Sequence, residues 1–103
     1  MISYGFHPEA RQDLDEIWEF IAAANLDAAD RVIAEILTAL DALVQFPQKG
    51  HRRPDLTSRP LRFILVRDYL IAYAADETPL WIVAVMHGRR SPRVMAAILR
   101  GRE

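Results

Sequence analysis

The 103-residue sequence contains no cysteine, which excludes a disulfide framework and any thiolate metal site. Lysine is almost missing: Lys49 stands alone beside twelve arginines. Four glycines and six prolines are too few for a low-complexity or collagenous chain. No apolar run approaches the ~18 residues that a membrane-spanning helix needs. The opening, MISYGFHPEA, lacks the basic start and long apolar stretch of a secretory signal. Three scattered histidines, His7, His51 and His87, do not make a structural metal set, so neither metal nor cofactor is expected. What is present is 51% apolar and 26% charged residues, the balance of a chain that builds a core. The expectation is one soluble domain over residues 1–103, cytoplasmic and without membrane contact.

The net charge of −1 conceals an asymmetry. Residues 1–48 carry nine acidic side chains against two basic ones, Arg11 and Arg31, a balance of −7. Residues 49–103 carry eleven basic against five acidic, a balance of +6. Arginine suits bidentate contact with carboxylate or phosphate. The split predicts an acidic face and a basic face, and the basic face implies an anionic partner.

Periodicity divides the chain. Residues 2–6 alternate as a strand, and Pro8 then opens a helix over 8–24 with apolar Leu14, Ile17, Trp18 and Ile21 on one stripe. Asn25 to Asp27 reads as a turn, with either residue available to cap a second helix that Pro47 stops after Phe46. So short a link makes the two helices an antiparallel hairpin. Residues 47–60 (PQKGHRRPDLTSRP) are loop. Residues 61–66, 69–75 and 80–87 are β-rich segments joined by short turns, read as an antiparallel meander. The unbroken hydrophobicity of LWIVAV indicates burial on both faces. Ser91 can cap a last helix, PRVMAAILR, opened by Pro92 and ended near Gly101. The fold class is therefore α+β in the order β-α-α-β-β-β-α, helices packed on a small antiparallel sheet.

The densest chemistry follows the last strand, where His87, Arg89, Arg90 and Arg93 surround a turn at a helix start. Guanidinium groups there can clamp phosphate or carboxylate, and His87 has the chemistry for acid–base work near neutrality. A second basic group, Lys49, His51, Arg52, Arg53 and Arg59, precedes the meander, with Arg62 and Arg67 at its strand edges. Together these residues could border one concave face, or some could serve only to neutralise the acidic first helix. Trp18 and Trp81 read as core; Tyr4, Tyr69 and Tyr73 are strand aromatics, of which Tyr69 is placed to reach solvent.

The pieces HPEARQDLDEIWEFIA, FPQKGHRRPDL, LRFILVRDYLIAYAA and VAVMHGRRSP, in this order, resemble the ParE/RelE superfamily of type II toxin–antitoxin toxins. The likeness covers essentially the whole chain. It implies a toxin held inactive by a cognate antitoxin, ParD-like or another short DNA-binding protein, which alone brings the pair to operator DNA. Arg52, Arg53, Arg62, Arg67 and Tyr69 are the residues expected to meet that antitoxin. RelE-like members cleave mRNA on the ribosome without a metal; ParE-like members trap DNA gyrase. Arg67 and Arg90 match cationic positions of RelE-like sites, and His87 is the one candidate acid–base group. The tyrosine that RelE-like toxins place in the final helix falls here near Met95 and Ala96, and the chain ends LRGRE without histidine or tyrosine. The resemblance is therefore nearer the ParE branch, with Arg89, Arg90 and Arg93 expected to contact gyrase. A ribosome-dependent nuclease using Arg67, His87 and Arg90, and an inactive antitoxin-binding member, stay open as alternatives.

Overall fold

The computed structural model describes residues 4–103. Strand β1 (Tyr4–Phe6) leads into α1 (Pro8–Ala22) and α2 (Leu26–Gln45), followed by β2 (Leu61–Val66), β3 (Tyr69–Ala74), β4 (Leu80–His87) and α3 (Pro92–Arg100). The order and class are those expected from the sequence; positions 2 and 3 of the expected first strand lie outside the described residues. Each helix start has a local cause. His7 Nδ1 accepts the Glu9 N–H ahead of Pro8, Asn25 Oδ1 accepts from Ala28 N–H at 2.9 Å, and Ser91 Oγ accepts from Val94 N–H at 3.2 Å. Because Asn25 must be extended to cap α2, α1 ends at Ala22, two residues earlier than its apolar stripe suggests.

The strand order is β1-β4-β3-β2. Strands β2, β3 and β4 form the expected antiparallel meander, with Val66 opposite Tyr69 and Tyr69 opposite His87. Strand β1 instead lies parallel to β4, pairing Tyr4 with Leu80 and Phe6 with Ile82, so the sheet is mixed and not wholly antiparallel. A strand that returns after two helices and a long loop can dock in either direction, and no local pattern sets which. The α1–α2 hairpin covers one sheet face, burying Leu14, Ile36, Leu40 and Leu43 against Ile71, Tyr73 and Ile82. Helix α3 and Leu56 of the long loop cover the other, placing Met95 and Leu99 on Phe63, Ala72, Ala84 and Met86. Strand β4 is thereby buried on both faces, as its unbroken apolar run indicated.

Two residues depart from the core expected of them. Trp18 is 36% exposed, because its indole N–H turns outward to donate to Asp30 Oδ1 of α2 at 2.9 Å across the hairpin. Trp81 is only half-buried, packed beside the α3 face. Tyr73, by contrast, is fully buried. Its hydroxyl accepts from Gly50 N–H and donates to Pro47 O, both at 2.8 Å, which pins the start of the long loop to the core. Gly50 is required for this approach, because a Cβ there would stand 2.5 Å from the hydroxyl and 2.9 Å from Phe63 O. Tyr73→Phe leaves a buried N–H and a C=O unmet, and is expected to cost about 2 kcal/mol. Thermal unfolding followed by circular dichroism should show the midpoint about 10 °C lower.

Candidate functional site

The meander brings two turns together. The Arg67-Asp68 link of the β2–β3 hairpin lies beside the end of β4, where Gly88 N–H donates to Asp68 O at 2.6 Å. Helix α1 passes on the far side of β4, and β1 is too short to fill the space between them. The result is a groove of about 490 Å³. Its apolar part is Ile17, Phe20 and Ile21 of α1 with Val32 and Val85; its polar part includes Arg67, Tyr69, His87 and Arg90. Glu16 and Asp68 also line it.

Arg67 is the one non-glycine residue with positive φ (53°) among the described residues. A two-residue hairpin favours glycine at such a position. An L-residue there costs roughly 1–2 kcal/mol. Arg67 Nε donates to Glu35 Oε2 at 2.9 Å, and both side chains are about half exposed. That hydrogen bond holds the Glu35 carboxyl below its usual range and raises the Arg67 guanidinium. Arg67→Gly is expected to raise stability, by up to about 1 kcal/mol, because it relieves the backbone. A chemical denaturation midpoint that moves up checks this.

Tyr69 and His87 face each other across the β3–β4 ladder, their rings edge to face with centroids 5.5 Å apart. Burial, and then the Asp68 charge, push the Tyr69 phenol up. His87 Nδ1 accepts the Arg89 N–H at 3.1 Å, so Nε2 is the ring atom left for a partner. Arg90 N–H donates to His87 O at 3.1 Å, closing the turn before α3. Arg89, Arg90 and Arg93 are exposed, and none forms an ion pair among the described residues.

The groove therefore gathers Arg67, Tyr69, His87 and Arg90, residues from two separate stretches of sequence. It does not gather the rest. Arg53 pairs with Asp55, 2.9 Å away, inside its own loop. Arg62 Nη1 donates to Gly50 O at 2.8 Å and holds the loop, while Arg59 donates to Leu99 O at the end of α3. Arg52 is exposed in the loop, and Arg89 and Arg93 lie outside the groove lining. Of the basic residues that could have neutralised the acidic first helix, Arg67 pairs with Glu35 of α2, and the first helix is met by Arg102, through Asp13 and Glu9.

The pairing of Arg102 with Asp13 has no signal in the sequence. Arg102 Nη2 donates to Asp13 Oδ1 at 2.9 Å, with its Nη1 on Oδ2 and on Val83 O, and Val85 N–H donates to the same carboxylate at 2.9 Å. The Arg102 guanidinium is raised first by the hydrogen bond to Asp13, against the opposing effect of its own burial. Eighty-nine positions separate the partners, so no local pattern could have found them. This pair takes up backbone groups of β4 that β1 leaves open.

Residues 4–92 match a family described as the ParE toxin of the type II toxin–antitoxin system parDE. The protein Y4kP of Sinorhizobium fredii, which carries a provisional toxin name, is 36% identical over 88 residues, covering 84% of this chain and 88% of that one. Toxin RelE2 of Caulobacter vibrioides is 32% identical over 81 residues, covering 79% and 89%. No helix among the described residues is long and apolar enough to cross a membrane. A mixed four-stranded sheet between a helical hairpin and a short terminal helix, and a family match over nearly nine-tenths of the residues, agree: the chain belongs to the ParE toxin family and is a toxin of a type II toxin–antitoxin system, whose partner is a cognate antitoxin.

Proposed function

We propose that this toxin acts on DNA gyrase without chemistry of its own, and that its antitoxin silences it by occupying the groove. The observation that carries the reading is the exposed turn from Arg89 to Arg93, three guanidinium groups without an internal acidic partner among the described residues. Such a turn suits a flat, charged protein surface better than an enclosed substrate pocket. Helix α3 turns Met95 into the core, 3% exposed, and offers no aromatic ring or titratable group at that place to stack on a base or move a proton. Within the groove, Arg67, Tyr69 and Arg90 meet the acidic and apolar side chains of the antitoxin; of the loop arginines, exposed Arg52 extends that contact, while Arg53 and Arg62, engaged with Asp55 and Gly50 O, serve it by holding the loop in place. Purified toxin at micromolar concentration should block supercoiling and stabilise gyrase-cleaved DNA; untouched supercoiling and cleavage overturn the proposal.

One observation favours a second reading. Arg67, His87 and Arg90 line a single groove with Tyr69, and His87 Nε2 has no hydrogen-bond partner among the described residues. A metal-independent nuclease needs a general acid or base and cations for the developing phosphorane charge. Primer extension on cellular mRNA after induction separates the readings: cuts within translated codons support the nuclease, and intact message removes it.

A further inference from the structure

We propose that the groove receives an extended segment of the antitoxin as a short strand parallel to β4, continuing the line that β1 abandons. The proposal rests on the reading of the groove as the antitoxin site and adds the backbone mode and its direction.

The starting point is where β1 stops. Its last pair is Phe6 with Ile82; His7 N–H then donates to Ile82 O at 2.8 Å and Pro8 carries the chain away into α1. The edge of β4 beyond that point has no strand beside it among the described residues. A register shift between Ala72 and Tyr73 leaves Val83 as an extra residue on β4. The first stretch of open edge is then closed by side chains, Arg102 on Val83 O and Asp13 on Val85 N–H.

The next stretch is different. The Gly88–Asp68 bond sets the phase of the β3–β4 ladder, so Ala84 and Met86 exchange bonds with β3 while Val85 and His87 turn their backbone groups toward α1. His87 O is taken by Arg90 N–H, and Val85 N–H by Asp13. Two groups remain without a partner among the described residues: the carbonyl of Val85 and the N–H of His87. Both residues line the groove.

Those two groups define a strand direction. In a parallel pair, one residue donates its N–H to the carbonyl on one side of its opposite number and accepts from the N–H on the other side. A single residue opposite Met86 would satisfy Val85 O and His87 N–H at once. An antiparallel strand would meet the same two groups only as halves of two separate narrow pairs, whose other halves, Val85 N–H and His87 O, are already engaged by Asp13 and Arg90. A docked helix would cover the two groups and leave them unmet.

Charge and shape identify the occupant as a peptide with an apolar and an acidic side chain. Ile17, Ile21 and Val85 form the apolar wall, and Arg90, which has no acidic partner among the described residues, closes the end with Arg67 beside it. Strand addition of this kind takes affinity from main-chain bonds and specificity from the alternate side chains.

The test is site-resolved amide exchange by NMR on the isotope-labelled toxin, free and in complex with its co-expressed antitoxin. The His87 amide is expected to exchange about a hundredfold more slowly in the complex. A nuclear Overhauser contact should join an antitoxin amide to the Cα–H of Val85 or Met86. A His87 amide that keeps its free rate, or is protected without that contact, overturns the strand while shifted Ile17 and Ile21 methyl signals preserve the groove as the antitoxin site. If those methyl signals do not move, both the strand and the groove reading fall.

Discussion

Asp13→Ala is expected to destabilise the toxin by about 3 kcal/mol or more, the largest stability loss for any single charged side chain described here. The carboxylate and the Arg102 guanidinium are 15% and 11% exposed, so their attraction is weakly screened and the variant strands a nearly buried cation. It also frees Val85 N–H, which the carboxylate accepts at 2.9 Å. Glu9, 3.9 Å from Arg102 Nε, offsets part of the loss, which places the effect at the lower end for a broken buried pair. In a chain of this length the unfolding midpoint should fall by about 12 °C or more. Arg102→Met alone should be less damaging than Asp13→Ala, because the remaining carboxylate still accepts from Val85 N–H. The Asp13→Leu, Arg102→Met double variant should regain much of the stability, since an apolar pair of similar volume replaces two desolvated charges. A double variant as unstable as the single ones would show that the β4 edge needs those hydrogen bonds and not merely the volume.

Arg67→Gln with Arg90→Gln is expected to weaken antitoxin binding by about two to four orders of magnitude. Two charge-assisted hydrogen bonds to carboxylates are worth roughly 1.5–3 kcal/mol each, and every 1.4 kcal/mol is about tenfold in affinity. Both residues are exposed, so the folded state should change by no more than about 0.5 kcal/mol. Titration calorimetry at two salt concentrations checks the physical cause: the wild-type affinity should fall with salt and the variant's much less. An affinity within threefold of wild type would remove these arginines from the antitoxin contact. The same variant expressed without antitoxin gives an independent readout, because Arg90 also belongs to the turn proposed to meet gyrase.

Legibility followed the range of the interaction. Pro8, Asn25, Ser91 and Pro92 act within a few positions, and the helix starts they set are where the sequence put them. The Val66–Tyr69 hairpin needs only a two-residue link, and its register follows. Arg67, His87 and Arg90 bear chemistry that is legible by residue type, but their meeting in one groove with Ile17 and Ile21 depends on where α1 crosses β4. The loop arginines show the converse. Arg53, Arg59 and Arg62 looked equivalent to Arg67 in a basic stretch, yet each is tied to the loop or to the end of α3.

The amino-acid order by itself determined the element sequence, the two-sided burial of β4 and the ParE/RelE kinship, because apolar periodicity, caps and short turns are encoded among neighbours. Only the tertiary structure decided the parallel docking of β1, the Asp13–Arg102 closure of the β4 edge and the open Val85–His87 stretch beside it. These are contacts between segments up to 89 residues apart. Their free energies depend on which backbone groups the packed sheet leaves unpaired, a quantity that no local window of sequence contains.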